Sequence, residues 1–433
     1  MQAKNDKKVI RSWAFFDWAN SAYNLVITST IFPAYYAIIT TTKEHGDKVV
    51  FFGRTYTNTA LSNYALSVAY LIMVLILPIL SSVADAKGKK KFFMKIFTYL
   101  GGLACCGLYF FKLDTLELGI ICFALAAMGY VGGILFNNSY LPLIATVDEQ
   151  DRVSAKGYAF GYIGSVLLQI ICFVFVLKPE LFGIVDPSFP PRLSFLLVGI
   201  WWIAFAQIPF KNLAKDKPIE NTGANIFKSG FLELAKVWKK LKEMKFLKNY
   251  LIAFFFYSMG VQTIMLVAAS FGEKVLKLGT TKLIATILII QLVAILGAYA
   301  MSALAKRIGN VKVLIFVVLI WIGFCICAYF TTNEYEFYGL AAVAGLIMGG
   351  IQSLSRSTYS KYLPENTPDT ASFFSFYDVT EKLSIVIGLA TFAFIEEKTD
   401  NMRNSIIALA SFFVIGLIFL LILKRVEKKM AKA

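Results

Sequence analysis

The sequence predicts an all-α membrane protein of about twelve transmembrane helices in two related halves. Three observations predict it: long apolar runs with short polar breaks, basic residues sorted into alternate breaks, and signatures that recur about 220 positions apart.

Apolar residues make up 58% of the 433-residue chain and mean hydropathy is +0.66. A soluble domain averages roughly 45–50% apolar, and a bilayer core needs about 20 apolar residues per helix. Spans are expected at 13–40, 60–84, 92–111, 116–144, 155–177 and 193–210, then at 247–271, 283–305, 311–331, 337–356, 370–395 and 405–423. The first follows Lys4, Lys7, Lys8 and Arg11 as a leader peptide would. Its apolar stretch exceeds the ~7–15 residues of a cleavable core, so it is read as a retained helix.

The formal charge is +16. One set of breaks holds Lys87, Lys89, Lys90, Lys91, Arg152, Lys156, Lys306, Arg307, Lys312 and a tail with Lys424, Arg425 and Lys428. The other set is poor: Lys112 in one break, Glu334 and Glu336 in another. The positive-inside rule then expects both termini on the cytoplasmic side of the cell membrane. The same sorting accounts for the charge without nucleic acid, for which no binding motif is present.

Cys105, Cys106, Cys122, Cys172, Cys325 and Cys327 all lie inside apolar runs, as reduced core thiols would. A single histidine, His45, leaves zinc sites and Ser/His/Asp catalysis almost no raw material. No metal, cofactor or enzymatic activity is expected.

Residues 211–246 divide the chain into an N-terminal half, 1–210, and a C-terminal half, 247–433. The divider opens with a charged stretch containing Pro218 and Gly223. Phe227, Phe231, Leu234, Trp238 and Leu241 then recur every three or four residues among Lys228, Lys236, Lys239, Lys240 and Lys242. That pattern is a basic amphipathic helix, expected on the inner membrane face or packed across the end of the bundle.

The halves repeat. Ser81-Ser-Val-Ala-Asp85-Ala-Lys87-Gly88-Lys89 closes the second span and Ser302-Ala-Leu-Ala-Lys306-Arg307-Ile-Gly309-Asn310 the eighth. Gly88 and Gly309 differ by 221 positions (309 − 88), Gly132 and Gly349 by 217 (349 − 132), and Leu141 and Leu363 by 222 (363 − 141).

Polar side chains interrupt the apolar runs at helical spacing. Asp17, Asn20, Ser21, Asn24 and Thr28 fall on one arc of the first span. Facing lipid would cost several kcal/mol, so the arc is expected to face the bundle interior or water, where it lines a pathway or joins helices by hydrogen bonds. The apolar run 383–395 is too short to cross alone, so the eleventh span must include Asp378, Glu381 and Lys382 on one face. An Asp378–Lys382 pair would leave Glu381 as the surplus carboxylate, able to carry a proton. In the tenth span Gln352, Ser355, Arg356 and Tyr359 share a face, and Gly345 and Gly349 form a close-approach surface. Arg356 can snorkel to the nearby cytoplasmic edge or pair with Asp378 or Glu381. Gln262 and Thr263 follow Gly260, where the seventh span either weakens or simply makes interhelical hydrogen bonds.

Two resemblances follow from these residues. The loop after the second span resembles the major facilitator signature G-x-x-x-D-R-x-G-R-R: Asp85, Gly88, Lys89 and Lys90 match, while Ser81 replaces the first glycine and Ala86 the first arginine. In that superfamily the loop is a cytoplasmic gate that stabilises the outward-open state. The stretches Phe16-Asp17-Trp18-Ala19-Asn20-Ser21-Ala22-Tyr23, Arg152-Val-Ser-Ala-Lys-Gly157-Tyr-Ala-Phe-Gly161-Tyr162, Gly349-Gly-Ile-Gln352-Ser-Leu-Ser355-Arg356-Ser357 and Phe374-Ser-Phe-Tyr377-Asp378-Val-Thr-Glu381-Lys382 resemble the unknown major facilitator, or vacuole-effluxer-like, family. That resemblance implies a major facilitator fold, and its fungal members are associated with amino-acid export from the vacuole.

The expectation is a monomeric secondary transporter of small polar solutes in a lipid bilayer, working by alternating access. Asn20, Asn24, Gln262, Gln352 and Arg356 are candidates for substrate contact. Asp17, Asp378, Glu381 and Lys382 are candidates for proton coupling or ion pairing. Alternatives are a membrane-embedded enzyme, disfavoured by scattered carboxylates, and a non-transporting receptor or scaffold. No phosphate-binding G-x-x-x-x-G-K-S/T segment is present.

Overall fold

In a computed structural model, residues 3–41, 46–214, 216 and 226–430 are described; His45, Pro218 and Gly223 lie outside them. Thirteen long helices order the described chain. The first six are α1 (Lys7–Thr40), α2 (Asn58–Ala86), α3 (Lys90–Gly107), α4 (Leu116–Asn138), α5 (Gln150–Leu177) and α6 (Phe189–Asn212). A connecting helix α7 (Ile226–Glu243) follows. Then come α8 (Lys245–Lys274), α9 (Thr280–Ile308), α10 (Asn310–Phe330), α11 (Glu334–Lys361), α12 (Thr370–Thr399) and α13 (Met402–Met430). Eleven of these are long and apolar enough to cross a membrane. The twelfth spanning helix, α12, has the length but carries Asp378, Glu381 and Lys382 in its first half.

Every expected span lies within or beside a helix, and most helices start a few residues earlier. Asp6 accepts the amide N–H groups of Lys8 (2.8 Å) and Val9 (3.4 Å), so α1 begins six residues before Trp13. Two features were not anticipated. Residues Tyr23–Ile31 of α1 are a π-helix just before Phe32-Pro33. There the Ser29 and Thr30 hydroxyls donate to the carbonyls of Asn24 and Leu25, both at 2.8 Å. Between α1 and α2, β1 (Lys48–Phe51) and β2 (Arg54–Thr57) form a hairpin. Its two-residue turn, Phe52-Gly53, has both φ angles positive, matching the twist of the strands.

Buried apolar side chains form two clusters, one from Val9 to Leu213 and one from Val237 to Leu423. Each borrows from across the molecule: Ala371 joins the first and Tyr162 the second. The halves meet along two seams, α5 against α9 and α11, and α2 against α12. These seams are exchanged by the pseudo-two-fold relation of the repeat. Within the second half, α11 crosses α9 so closely that Cβ atoms added to Gly345 and Gly349 would lie 2.5 and 2.0 Å from the carbonyl oxygens of Ile290 and Ala294. Gly260 instead packs under the Phe413 ring, and α8 runs through it unbroken.

The end of the bundle that carries both termini is also where the lysine-rich breaks lie; it is called the basic side below. The amphipathic helix α7 packs across it rather than lying free on a membrane face. Val237 and Leu241 are buried, the Trp238 ring sits 5.3 Å from that of Phe376, and Lys240 pairs with Asp369 at 3.0 Å. Asp216, in the segment before α7, caps α3 through the amides of Lys91 and Phe92, both at 2.9 Å. All six cysteines are unbridged, four of them buried.

Candidate functional site

Arg356 is the most heavily bonded side chain at the junction of the halves. It comes from α11 and is 2% exposed. Nη1 donates to Asp17 Oδ2 on α1 and to Asn138 Oδ1, both at 3.1 Å. Nε donates to the Ser154 hydroxyl (3.0 Å) and Nη2 to the Ser154 carbonyl (2.8 Å) on α5. Ser154 in turn donates to the Ser353 carbonyl at 2.7 Å. The guanidinium lies over the rings of Trp13 (4.7 Å) and Tyr158 (4.2 Å). Asn137 donates to Asp17 Oδ1 at 3.3 Å, and Trp13 donates to the Asn137 carbonyl at 2.8 Å. Arg356 therefore neither snorkels nor pairs with Asp378 or Glu381; Asp17, one turn inside the same edge, reaches it first. Gly157 makes room, since a Cβ there would lie 2.4 Å from Asp17 Oδ2 and 2.6 Å from Arg356 Nη2.

At mid-depth, Lys382 donates to Glu381 Oε2 (2.6 Å), and Gln262 on α8 donates to Glu381 Oε1 (3.0 Å). The Lys382 ammonium also lies 5.9 Å from the centre of the Tyr70 ring on α2. This reverses the expected pairing. The flexible lysine stem folds back onto its sequence neighbour, Gln262 anchors that neighbour, and Asp378 is left over. Asp378 is 2% exposed and its Oδ2 has no hydrogen-bond partner.

Glu381 lines a small pocket with Tyr158, Phe254, Tyr257, Gln262, Gln352 and Tyr377. Its free space is ≈10 Å³, room for about one water. Tyr162 donates to Gln352 across the halves at 2.7 Å. A hydroxyl chain from Tyr250 through Tyr257 (3.1 Å) to Ser355 Oγ (2.8 Å) runs along the pocket wall.

The first-span arc does not survive intact. Asn20 is fully buried against α4 near Gly133, with neither amide atom bonded. Ser21 faces Gly161 on α5. Asn24 is exposed. The π-helix begins at Tyr23, and its i→i+5 bonding ends the 100° spacing on which the arc was projected.

Two clusters close the basic side. Asp85 ends α2, pairs with Lys90 at 3.0 Å, and reaches into the opposite half. There it accepts the amides of Ala371 (3.3 Å) and Ser372 (2.7 Å) and the Ser372 hydroxyl (2.7 Å), capping the N-terminus of α12. Lys90 adds bonds to the Pro368 carbonyl (2.9 Å) and the Thr370 hydroxyl (2.6 Å). Gly88 makes the turn at φ 62°. Lys89 takes no part in this clamp: it is exposed, its ammonium 5.7 Å from the centre of the Phe92 ring. In the second cluster Asp151, at the start of α5, accepts from Asn310 (2.7 Å) and from Lys361.

At the repeat offset Lys306 stands where Asp85 does and Asp151 where Ser372 does. The acid has thus moved from the loop side of one seam to the helix-start side of the other. Among the described residues, every hydrogen bond between the halves lies on the basic side or at mid-depth, and none joins their far ends.

Ser154, Gly157, Tyr158, Asn138, Asp151 and Asn310 were missing from the sequence-derived site. The first three lie in a motif already singled out, 152–162, and small residues every third or fourth position were the available signal. Among the described residues no group of three or more His, Cys, Asp or Glu could hold a metal ion.

Known proteins give this geometry its context. The family model described as "Vacuole effluxer Atg22 like" matches residues 5–433. An MFS-type transporter of Bacillus subtilis (strain 168), YxiO, itself uncharacterized, is 29% identical over 96% of this chain and 95% of its own length. Autophagy-related protein 22 of Kluyveromyces lactis is 25% identical over 95% and 92%. Among solved structures, the major facilitator transporter FucP in its outward conformation superposes with a TM-score of 0.69 at 13% identity, covering 96% of this chain and 98% of that one. The human organic anion transporter MFSD10 gives 0.71 at 9% identity, over 96% and 100%. The chain is a multi-pass membrane transporter with the twelve-helix major facilitator fold, and it belongs to the Atg22-like vacuole effluxer family.

Proposed function

We propose that this chain is a proton-coupled secondary transporter that exports small polar solutes, amino acids foremost, by rocking its halves about the mid-depth pocket. It works as a monomer in the cell membrane with both termini cytoplasmic, following the lysine-rich breaks. The carrying observation is the asymmetry of the seams. Buried ion pairs and a helix cap hold the halves together on the basic side, with no counterpart on the far side among the described residues. Bonds that close only one side are what a two-state rocking molecule must break to expose its pocket on that side. Amino acids are favoured by family resemblance alone.

Coupling is assigned to the carboxylates of α12. Glu381 is neutralised by Lys382, so Asp378 is the acid free to take and release a proton. Gln262 and Gln352, which line the pocket, are retained as substrate contacts, Asn20 as an unbonded polar group behind it against α4, and Arg356 as the residue that closes it. The test is efflux of radiolabelled amino acids from proteoliposomes under an imposed pH gradient. The reading expects Asp378→Asn to abolish the response to the gradient, with Glu381→Gln impairing transport while leaving part of that response. Efflux by Asp378→Asn with unchanged pH dependence would sink Asp378 as the coupling acid.

A further inference from the structure

Three cations meet at the basic end of the first half's outer face. Arg11 comes from α1, and Arg152 and Lys156 come from the start of α5. The charges that act on Lys156 are those of Arg152 and Arg11. Arg152, its side chain 66% exposed, pairs with Glu149. Among the described residues, the side chains of Arg11 and Lys156 have neither an acid nor a hydrogen-bond acceptor. Each lies only beside a ring: Arg11 is 5.9 Å from the centre of Phe15, and Lys156 is 5.7 Å from that of Phe160. Those two rings meet edge to face at 5.3 Å. Glu149 offsets one of the three cations, so two positive charges are gathered here without an anion.

Below the cations the same surface turns apolar. On α1, Lys8, Arg11, Phe15 and Trp18 follow at intervals of three and four, so one stripe passes from charge to ring. On α5, Arg152, Lys156, Phe160, Ile163 and Leu167 do the same and end in exposed aliphatic side chains. Trp201 and Phe205 of α6 complete the ring layer, stacked on Trp18 at 5.7 Å and on Phe15 at 6.3 Å. Cation, ring and aliphatic chain is the order in which a bilayer presents phosphate, interface and acyl tail. An acidic protein segment or a dissolved anion would match the cations and leave Ile163 and Leu167 uncovered.

We propose that Arg11, Arg152 and Lys156 form a headgroup site for an anionic phospholipid of the basic-side leaflet, its phosphate between α1 and α5 and an acyl chain along Ile163 and Leu167. Arg152 and Lys156 flank Ser154, which faces inward to Arg356, so a bound lipid backs the turn that holds the seam. The inference is independent of the solute carried and of the coupling acid.

Native mass spectrometry of the purified full chain tests this, with phosphatidylglycerol and phosphatidylcholine of matched chains offered together. Phosphatidylglycerol should be retained about tenfold over phosphatidylcholine. Arg11→Gln with Lys156→Gln should remove that preference. Arg11→Lys with Lys156→Arg should keep it, which separates loss of charge from a damaged fold. Lys239→Gln with Lys242→Gln, on the basic helix α7, should also keep it. Glycerol phosphate, the headgroup without tails, should not displace the lipid. Equal retention of the two lipids, or a preference that survives Arg11→Gln with Lys156→Gln, would overturn the proposal. A preference lost as fully in Lys239→Gln with Lys242→Gln would overturn it too, since net charge alone would then be at work. Displacement by glycerol phosphate would overturn it in favour of a soluble-anion site.

Discussion

Arg356 and Asp17 stand 339 positions apart in the chain and 3.1 Å apart in space, each almost wholly withdrawn from solvent. The pair joins the first spanning helix to the tenth. Removing one partner strands the other charge, which typically costs about 3–5 kcal/mol for a buried pair. Asp17→Asn and Arg356→Gln should each lower the thermal unfolding temperature in detergent. The double variant should lose less than the sum of the two. Gly157→Ala should mimic the single variants, because its methyl would occupy the same space. Additive losses in the cycle would show that the two side chains do not interact.

Asp85 caps a helix of the opposite half, so its loss should loosen the basic side rather than unfold the bundle. A capping residue is worth about 0.5–2 kcal/mol. Asp85→Ala should speed thiol labelling of a Ser372→Cys probe from the basic side by tenfold or more, and Lys90→Gln by less. An unchanged labelling rate in Asp85→Ala would mean that the cap does not hold the seam shut.

Gly349 and Gly323 should respond in opposite directions to the same added methyl. At Gly349 a Cβ would collide with the backbone of α9, an overpacking that costs about 1–3 kcal/mol. Gly323, inside α10, has nothing within 4 Å of a new Cβ, so alanine there should gain about 0.5–1 kcal/mol of helix stability. Paired thermal melts of Gly349→Ala and Gly323→Ala read the contrast directly.

Asp186, in the loop between α5 and α6, is held below the usual carboxylate range by hydrogen bonds from the Ser188 hydroxyl and amide, with Arg192 nearby. A carboxylate whose folded value is depressed stabilises the fold above its unfolded value, about 3.9 for aspartate, and loses that contribution as pH falls through the folded value. Asp186→Asn should therefore lower the melting temperature slightly at neutral pH and converge on the wild type below about pH 4, flattening the acid limb of the profile. Profiles that coincide throughout would remove the loop from any part in acid stability.

The spans were readable because a bilayer demands unbroken apolar length, and α12 was readable for the opposite reason: its apolar run fell short. The partners of buried charges were not. Lys382 shares a helical face with Asp378 yet bonds to Glu381, a choice made by a flexible stem and by Gln262 from a helix over a hundred positions away. The Arg356–Asp17 bond needed the packing of α5 on α1, which the spaced small residues of 152–162 hint at but do not locate. The arc on the first span failed at Tyr23 because helical periodicity carries no warning of where extra residues enter a turn.

Asp85 has no acidic equivalent at its repeat position; Lys306 stands there, and the matching acid, Asp151, sits on the opposite partner of its seam. The first half is thereby keyed to the second and not to itself. Two copies of the first half, mated through these surfaces, would set carboxylate against carboxylate at Asp85 and Asp151. A gene duplicated and then fused needs such a lock-and-ward arrangement if half-molecules are not to cross-assemble. Split at the connecting segment, the two pieces should find one another in the membrane in preference to their own kind.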